Sequence, residues 1–264
     1  MKSIGIIGGG FVGSAVRRYF LDQGHNVYTY DKFKQVDPLE KVLETDYIFI
    51  AVPTPYKDGI DLSAVEDAMV QATKASEGSA IIIKSTVIPG TTEKFQKLYP
   101  HLKLLFNPEF LTELSAEKDF AKPDRQIVGF TKQSQDAAKE LMDILPKAPY
   151  AKLVDATSAE FIKYFGNNWL AIKVAYANQM YDLCQKLGIN YDDVKEGASA
   201  DPRIGPSHLD VWSGGYRGYG GKCLPKDNRA MIKFAEGLGV DLKLHKIAEE
   251  INNELHKKQN LDIP

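Results

Sequence analysis

Short apolar-rich runs alternate along the first 150 residues with longer stretches in which apolar positions recur every three or four residues. The runs cover residues 2–7, 26–30, 47–52, 80–84, 103–106 and 126–129, each too short for a stable helix and suited to a strand buried on both faces. Between them, residues 14–21, 63–75, 92–98 and 133–145 carry the helical spacing. Strand and helix in repeated alternation predict an α/β domain over residues 1–150, a Rossmann-like, doubly wound parallel sheet.

The pattern then changes. Residues 157–187 contain no proline and one internal glycine, and Ile162, Phe165, Trp169, Ile172, Tyr176, Met180, Leu183 and Leu187 recur at spacings of three and four. This predicts one long central helix of roughly 45 Å, whose apolar stripe reads most simply as core or as the seat of a partner helix. A second seam on another side carries Glu160, Lys163, Asn167, Ala171, Val174 and Asn178, so Lys163 and Asn167 project together. Polar residues on a helix are ordinarily solvated; facing a pocket, this ammonium and amide would form an oxyanion site. Helices over 191–196, 224–237 and 242–257 complete an all-helical domain over residues 151–264.

Composition narrows the functional classes. The 264 residues balance 33 basic against 35 acidic side chains, and no basic run suggests nucleic acid or an anionic membrane as partner. No segment reaches membrane-spanning length, and the short glycine-broken N-terminal run reads as a strand rather than a signal peptide. Cys184 and Cys223 provide no disulfide framework and no metal-ligand spacing with the five histidines. The expectation is a reducing, cytoplasmic setting without a metal.

Three features carry candidate chemistry. Gly8, Gly10 and Gly13, with Phe11 and Val12 between the last two, form G-x-G-x-x-G between a strand and a helix, the arrangement that lets backbone N–H groups approach a pyrophosphate. Asp31 ends the second strand about twenty residues on, where a carboxylate accepts ribose hydroxyls and favours NAD over NADP. The strand ends at Pro53-Thr54-Pro55, Ser85-Thr86-Val87 and Asn107 to Glu113 put polar groups on the rim where such sheets bind ligands. Finally, Gly218-Tyr-Gly-Gly-Lys-Cys-Leu-Pro-Lys-Asp227 sets Cys223 between Lys222 and Lys226 at the predicted start of a helix. A thiol so placed ionises more readily than an inert core cysteine.

Together these residues resemble the UDP-glucose/GDP-mannose dehydrogenase family, from residue 2 to about 255. The marks are the glycine fingerprint, Val52-Pro-Thr-Pro, Lys84-Ser-Thr-Val, Asn107-Pro-Glu-Phe-Leu-x-Glu, Pro123-Asp-Arg, Glu160-x-x-Lys-x-x-x-Asn, Asp201-x-Arg-Ile-Gly and Gly220-Gly-x-Cys-Leu-Pro-Lys-Asp. The resemblance implies an NAD-dependent enzyme that oxidises a sugar nucleotide twice, UDP-glucose to UDP-glucuronate, in the service of polysaccharide biosynthesis. It implies Cys223 as nucleophile, Lys163 and Asn167 as oxyanion pair, Asp227 with Thr86 as the hydrolytic base arrangement, and Glu109 as a substrate-side glutamate. On the cofactor side it implies Thr54, Thr86, Glu113 and Lys226; on the sugar-nucleotide side, Asn178 and Gly220. Arg203 matches an arginine that reaches across a dimer interface, which fits a homodimer seated on helix 157–187.

Departures from the pattern accompany the likeness. The family normally continues into a second dinucleotide-like domain that helps clamp the nucleotide, and the expectation is that this chain lacks it. Val36 stands where a basic residue is usual, with Lys32 or Lys34 as substitutes, and Gln179 follows Asn178 where glutamate is common. Two other readings stand beside the first: a β-hydroxyacid dehydrogenase, which performs one oxidation and needs no cysteine, and a non-catalytic dimeric relative that binds NAD.

Overall fold

The computed structural model of the protein describes residues 1–34, 36–112 and 115–261. The chain divides into two compact units, Met1–Lys163 and Tyr164–Pro264. In the first, the order is β1 (Ser3–Ile7), α1 (Phe11–Asp22), β2 (Asn26–Tyr30), α2 (Leu39–Leu43), β3 (Tyr47–Ile50), α3 (Ser63–Ala72), β4 (Ala80–Ile83), α4 (Thr91–Leu98), β5 (Lys103–Phe106), α5 (Ala116–Ala121), β6 (Arg125–Phe130), α6 (Gln135–Ile144) and β7 (Tyr150–Asp155). The strands form one sheet in the order β2-β1-β3-β4-β5-β6-β7.

Period-two alternation divides the apolar runs between the two faces of this sheet. Ile48, Ile50, Ile81, Ile83, Leu104 and Phe106 pack on one side, while Tyr47, Phe49, Ile82 and Leu105 pack on the other. Both faces are therefore dry, which is why these strands read as continuous apolar runs. The order reverses direction at β1, whose neighbours are β2 and β3, and this switch point is where open α/β sheets bind ligands.

The sheet is not wholly parallel as expected. β1 to β5 run parallel, but β6 pairs antiparallel with β5, with Phe106 opposite Gly129, and β7 then runs parallel to β6. The only helix described between β5 and β6 is the six-residue α5, too short to carry the chain back along the sheet for a parallel return. β7 itself was not anticipated, because an edge strand with Lys152 and exposed Tyr150 lacks the dry apolar signature. α2 and α5 were missed for their brevity.

The long helix α7 (Ala156–Leu187) matches the expected span within one residue. Asp155 starts it by accepting from the Ser158 N–H (2.8 Å) and hydroxyl (2.6 Å), and Gly188 ends it at φ 68°. It begins in the first unit and continues through the second. There follow α8 (Tyr191–Ser199), a 3-10 turn (Ser213–Gly215), α9 (Leu224–Gly237) and α10 (Lys243–Lys258). A small core of Ala177, Cys184, Tyr191, Leu209 and Val211 fastens α7 to α8 and to the loop after it. No helix among the described residues is long and apolar enough to cross a membrane.

The two seams of α7 are buried the opposite way from the reading of the stripe as core and of the polar seam as solvated. Phe165, Trp169, Tyr176, Leu183 and Leu187 of the apolar stripe are exposed, whereas Glu160, Lys163, Ala171, Val174 and Asn178 of the polar seam are buried. The reading of the stripe as core is thus overturned; periodicity finds the faces of a helix without saying which one points inward.

Candidate functional site

The glycine turn follows β1. Gly8 adopts φ 107°, and a Cβ at Gly13 would lie 1.9 Å from the Gly8 carbonyl oxygen, so neither position accepts a side chain. Gly10 caps α1 with no side-chain hydrogen bond, and a Cβ there would meet nothing within 4 Å. The first-turn N–H groups at Phe11, Val12 and Gly13 are those that a helix leaves without an internal partner. Asp31 stands across the turn. Its Oδ2 accepts from the Gly9 N–H (2.7 Å), its Oδ1 from the Phe33 N–H (2.9 Å), and Lys34 Nζ donates to the Gly9 carbonyl (2.6 Å). Partial burial pushes the Asp31 carboxyl up, but those N–H groups and Lys34 outweigh it and hold it below the usual range.

Beside this turn lies a cavity of about 310 Å³, lined by Ile7, Gly8, Asp31, Val52, Pro53 and Gln71 among others. Gln71 Oε1 is buried there without a hydrogen-bond partner. An apolar slot with one orphaned amide oxygen beside a carboxylate, next to an uncapped helix N-terminus, fits the adenosine half of a dinucleotide.

The ends of β3, β4 and β5 are laced together. Val52 N–H donates to Ser85 Oγ (2.9 Å), and the buried Thr54 hydroxyl donates to the carbonyl of half-buried Thr86 (2.8 Å). From the β5 end, Glu109 meets Lys163 of α7 at 2.8 Å, with only 7% and 5% of their side chains exposed. Glu109 also accepts from the Leu111 N–H (2.9 Å). Burial works to raise its carboxyl, but Lys163, that N–H and Lys84 prevail and hold it below the usual range. Glu113, assigned to the cofactor side, lies outside the described residues.

Sequence reasoning missed Lys84 as a residue of consequence. Its ammonium donates to Asn107 Oδ1 (2.8 Å) and lies 5.1 Å from the centre of the Phe120 ring. Burial, with Lys163 nearby and Glu109 opposing, brings it down to about 7. The signal was available: a lysine directly after the fully buried strand Ala80–Ile83 must hide its charge or lose it. Glu160 was likewise seen only as a motif residue. It accepts from the N–H groups of Gly90 and Thr92 and the Thr92 hydroxyl, closing the start of α4, and burial pushes its carboxyl up to about 7.

In the second unit, Cys223 is the N-cap of α9 and half-buried, with Pro225 in the first turn, while Cys184 is a buried core thiol. One turn on, Asp227 is 1% exposed; its N–H donates to the Cys223 carbonyl (2.9 Å). Its carboxylate accepts from Asn167 Nδ2 (2.6 Å) and Lys226 Nζ (2.5 Å). Asn167 and Lys226 thus both meet Asp227, one turn after the thiol, although Asn167 lies 60 positions away in sequence. Gly220 is half-buried in the approaching loop. Asn178 is enclosed, donating to the Val174 carbonyl and accepting from Arg217 Nε (2.9 Å), so Arg217 stands over it. Arg203 is exposed and paired with Asp201.

Sequence comparison decides the family. The NAD-binding domain of the UDP-glucose/GDP-mannose dehydrogenase family matches residues 32–145, and its central domain matches residues 157–254. The chain belongs to the UDP-glucose/GDP-mannose dehydrogenase family. NAD is the cofactor of the matched domain, and the glycine turn lies just ahead of the matched stretch. UDP-glucose 6-dehydrogenase of Rhizobium meliloti is 32% identical over 95% of this chain and 67% of its own length; that of Rickettsia typhi is 35% identical over 84% and 50%. The chain thus spans between about half and two thirds of these relatives. Among solved structures, a UDP-glucose dehydrogenase from Pyrobaculum islandicum superposes with TM-score 0.85 at 29% identity, over 98% of this chain and 72% of that one. A 3-hydroxyisobutyrate dehydrogenase from Mycobacterium tuberculosis, at 16% identity, TM-score 0.77 and 97% and 94% coverage, shares the fold.

Proposed function

We propose that the protein catalyses the NAD-dependent two-step oxidation of a sugar nucleotide, UDP-glucose to UDP-glucuronate, through a thiohemiacetal and then a thioester on Cys223. The observation that carries this reading is the Cys223 turn with an enclosed carboxylate, Asp227, one helical turn away and gripped by Asn167 and Lys226. A single oxidation of a hydroxyacid has no use for a thiol in that position. The relatives named UDP-glucose 6-dehydrogenase support glucose and uridine as the sugar and base.

Bound NAD supplies the hydride acceptor for each oxidation. Gly8, Gly10, Phe11, Val12 and Gly13 hold its phosphates, Asp31 its ribose, and Thr54, Thr86, Glu113 and Lys226 complete the cofactor side. The C6 alcohol loses its proton to water as the aldehyde forms, with Glu109 on the substrate side. The Cys223 sulfur then bonds to the aldehyde carbon, and Lys163 and Asn167, one turn apart on α7, stabilise the resulting oxyanion. Loss of the second hydride leaves a thioester. Asp227, supported by Thr86, takes a proton from the water that attacks it; the C–S bond breaks and the carboxylate leaves. Asn178 and Gly220 belong to the sugar-nucleotide side.

We further assign the exposed stripe of α7 as the seat of a homodimer, with Arg203 reaching the neighbouring copy. Five large apolar side chains on one helix face exceed what a monomer ordinarily leaves in water. Two thiols and the proposed substrate fit a cytoplasmic setting. The test is stoichiometry: two NADH per UDP-glucose, with the acid product lost in Cys223→Ala. One NADH per substrate, or undiminished acid formation by the variant, would overturn the thioester route.

A further inference from the structure

The segments on either side of Cys223 are tied to one helix. Tyr219 N–H donates to Asn252 Oδ1 (2.7 Å) while Asn252 Nδ2 donates back to the Tyr219 carbonyl (2.9 Å). Two residues earlier the exchange repeats: Arg217 N–H donates to Gln259 Oε1 (2.8 Å) and Gln259 Nε2 donates to the Arg217 carbonyl (3.0 Å). Alternate loop residues thus meet side-chain amides seven positions apart, Asn252 within α10 and Gln259 at its C-cap, as they would meet the backbone of a neighbouring strand. Gly218 between them has φ 98°, and a Cβ there would lie 2.5 Å from Asn252 Oδ1, so the close approach requires glycine. After Cys223, Glu249 of the same helix accepts from Asn228 Nδ2 (3.1 Å) and Arg229 Nε (2.6 Å), and also from the Tyr219 hydroxyl (2.9 Å).

We propose that Asn252 and Gln259 are positioning residues for Cys223: they hold residues 217–219 against α10 and thereby fix the turn that presents the thiol. The physical need is plain from composition. Gly214, Gly215, Gly218, Gly220 and Gly221 make this loop costly to order, since glycine gives up more backbone freedom than any other residue. Two reciprocal amide pairs, one of them wholly buried, confine it where intrinsic stiffness cannot. Glu249 anchors the other side, so loop and helix meet at Cys223 from a common support.

The effect on turnover rests on the reading of Cys223 as nucleophile; the effect on the thiol itself does not. In Asn252→Ala and Gln259→Ala, iodoacetamide alkylation followed by peptide mass spectrometry should show Cys223 reacting about fivefold faster as the turn opens, with buried Cys184 as the unchanged internal reference. kcat for NADH formation should fall about tenfold or more through misplacement, with KM for NAD unmoved. Asn252→Asp, which keeps the acceptor and loses the donor, should fall between wild type and Asn252→Ala. Unchanged Cys223 alkylation in both alanine variants overturns the proposal. Should Asn252→Ala not fold by circular dichroism, Gln259→Ala, at the half-buried end of the clamp, decides alone. If the wild type forms no NADH, or Cys223→Ala still forms acid, the functional reading fails while the alkylation rates still decide the clamp.

Discussion

The Lys163 ammonium lies 2.8 Å from a Glu109 carboxylate oxygen, and water reaches almost none of either side chain. A buried pair of this kind adds little net stability as a pair, but removing one partner strands the other charge. Lys163→Met and Glu109→Gln should therefore each cost about 3–5 kcal/mol, and the Lys163→Met/Glu109→Gln double variant should cost less than their sum. Urea unfolding of the four proteins checks this.

Lys84 and Glu160 give stability opposite pH dependences in separate windows. An ordinary lysine keeps its proton to about pH 10.4, whereas Lys84 releases it at about 7. Between those values the unfolded chain holds a proton that the folded chain lacks, so this contribution to stability rises with pH from about 7 to about 10. Lys84→Met should flatten that rise. Glu160 keeps its proton to about 7 when folded and to about 4.3 when unfolded. Its contribution falls as pH rises through that interval, and Glu160→Gln should remove the fall. Urea midpoints measured from pH 4 to 10 separate the two.

Gly13→Ala pushes a methyl into the Gly8 carbonyl, with a nominal approach of 1.9 Å. The turn must open to admit it, and NAD affinity by calorimetry should drop at least about tenfold, the loss expected when close backbone approach to the pyrophosphate is spoiled.

Asp227→Asn retains the shape of the group that receives Asn167 and Lys226 but not its basicity. In the proposed sequence the thioester then forms and waits. Incubation with UDP-glucose and NAD should add the mass of the acyl group to the Cys223 peptide, and steady-state turnover should fall about 100-fold or more.

Trp169→Lys places a charge in the middle of the exposed α7 stripe, where the native indole is 56% exposed. Little packing within the chain is lost, so the melting temperature of the isolated subunit should change little, while light scattering should report a dimer for the wild type and a monomer for the variant.

Much of the architecture was legible because dry strands and half-buried helices leave periodic marks. Ala80–Ile83 and Tyr47–Ile50 announce themselves as unbroken apolar runs, and Gly8 to Gly13 followed by Asp31 announces a nucleotide turn. The long helix was readable from its missing breakers and from apolar positions recurring every three or four residues. β7 was not readable, since an edge strand mixes exposed and half-buried residues, and neither was the reversal at β6, because side-chain alternation is the same whichever way a strand runs.

The sequence by itself determined local placement: that a glycine turn leads from the first strand into the first helix, that Lys163 and Asn167 share a helix face, and that Cys223 and Asp227 sit one turn apart. These follow from spacings of a few residues, about one helical turn, where covalent geometry leaves little choice. Only the tertiary structure decided which face of α7 is buried, that Glu109 rather than solvent receives Lys163, that Lys84 lies enclosed against Asn107, and that α10 grips the loop ahead of Cys223. Those outcomes join residues some 23 to 54 positions apart, and no periodicity records a partner at that distance; it is set by which surfaces exclude water once the chain has closed on itself.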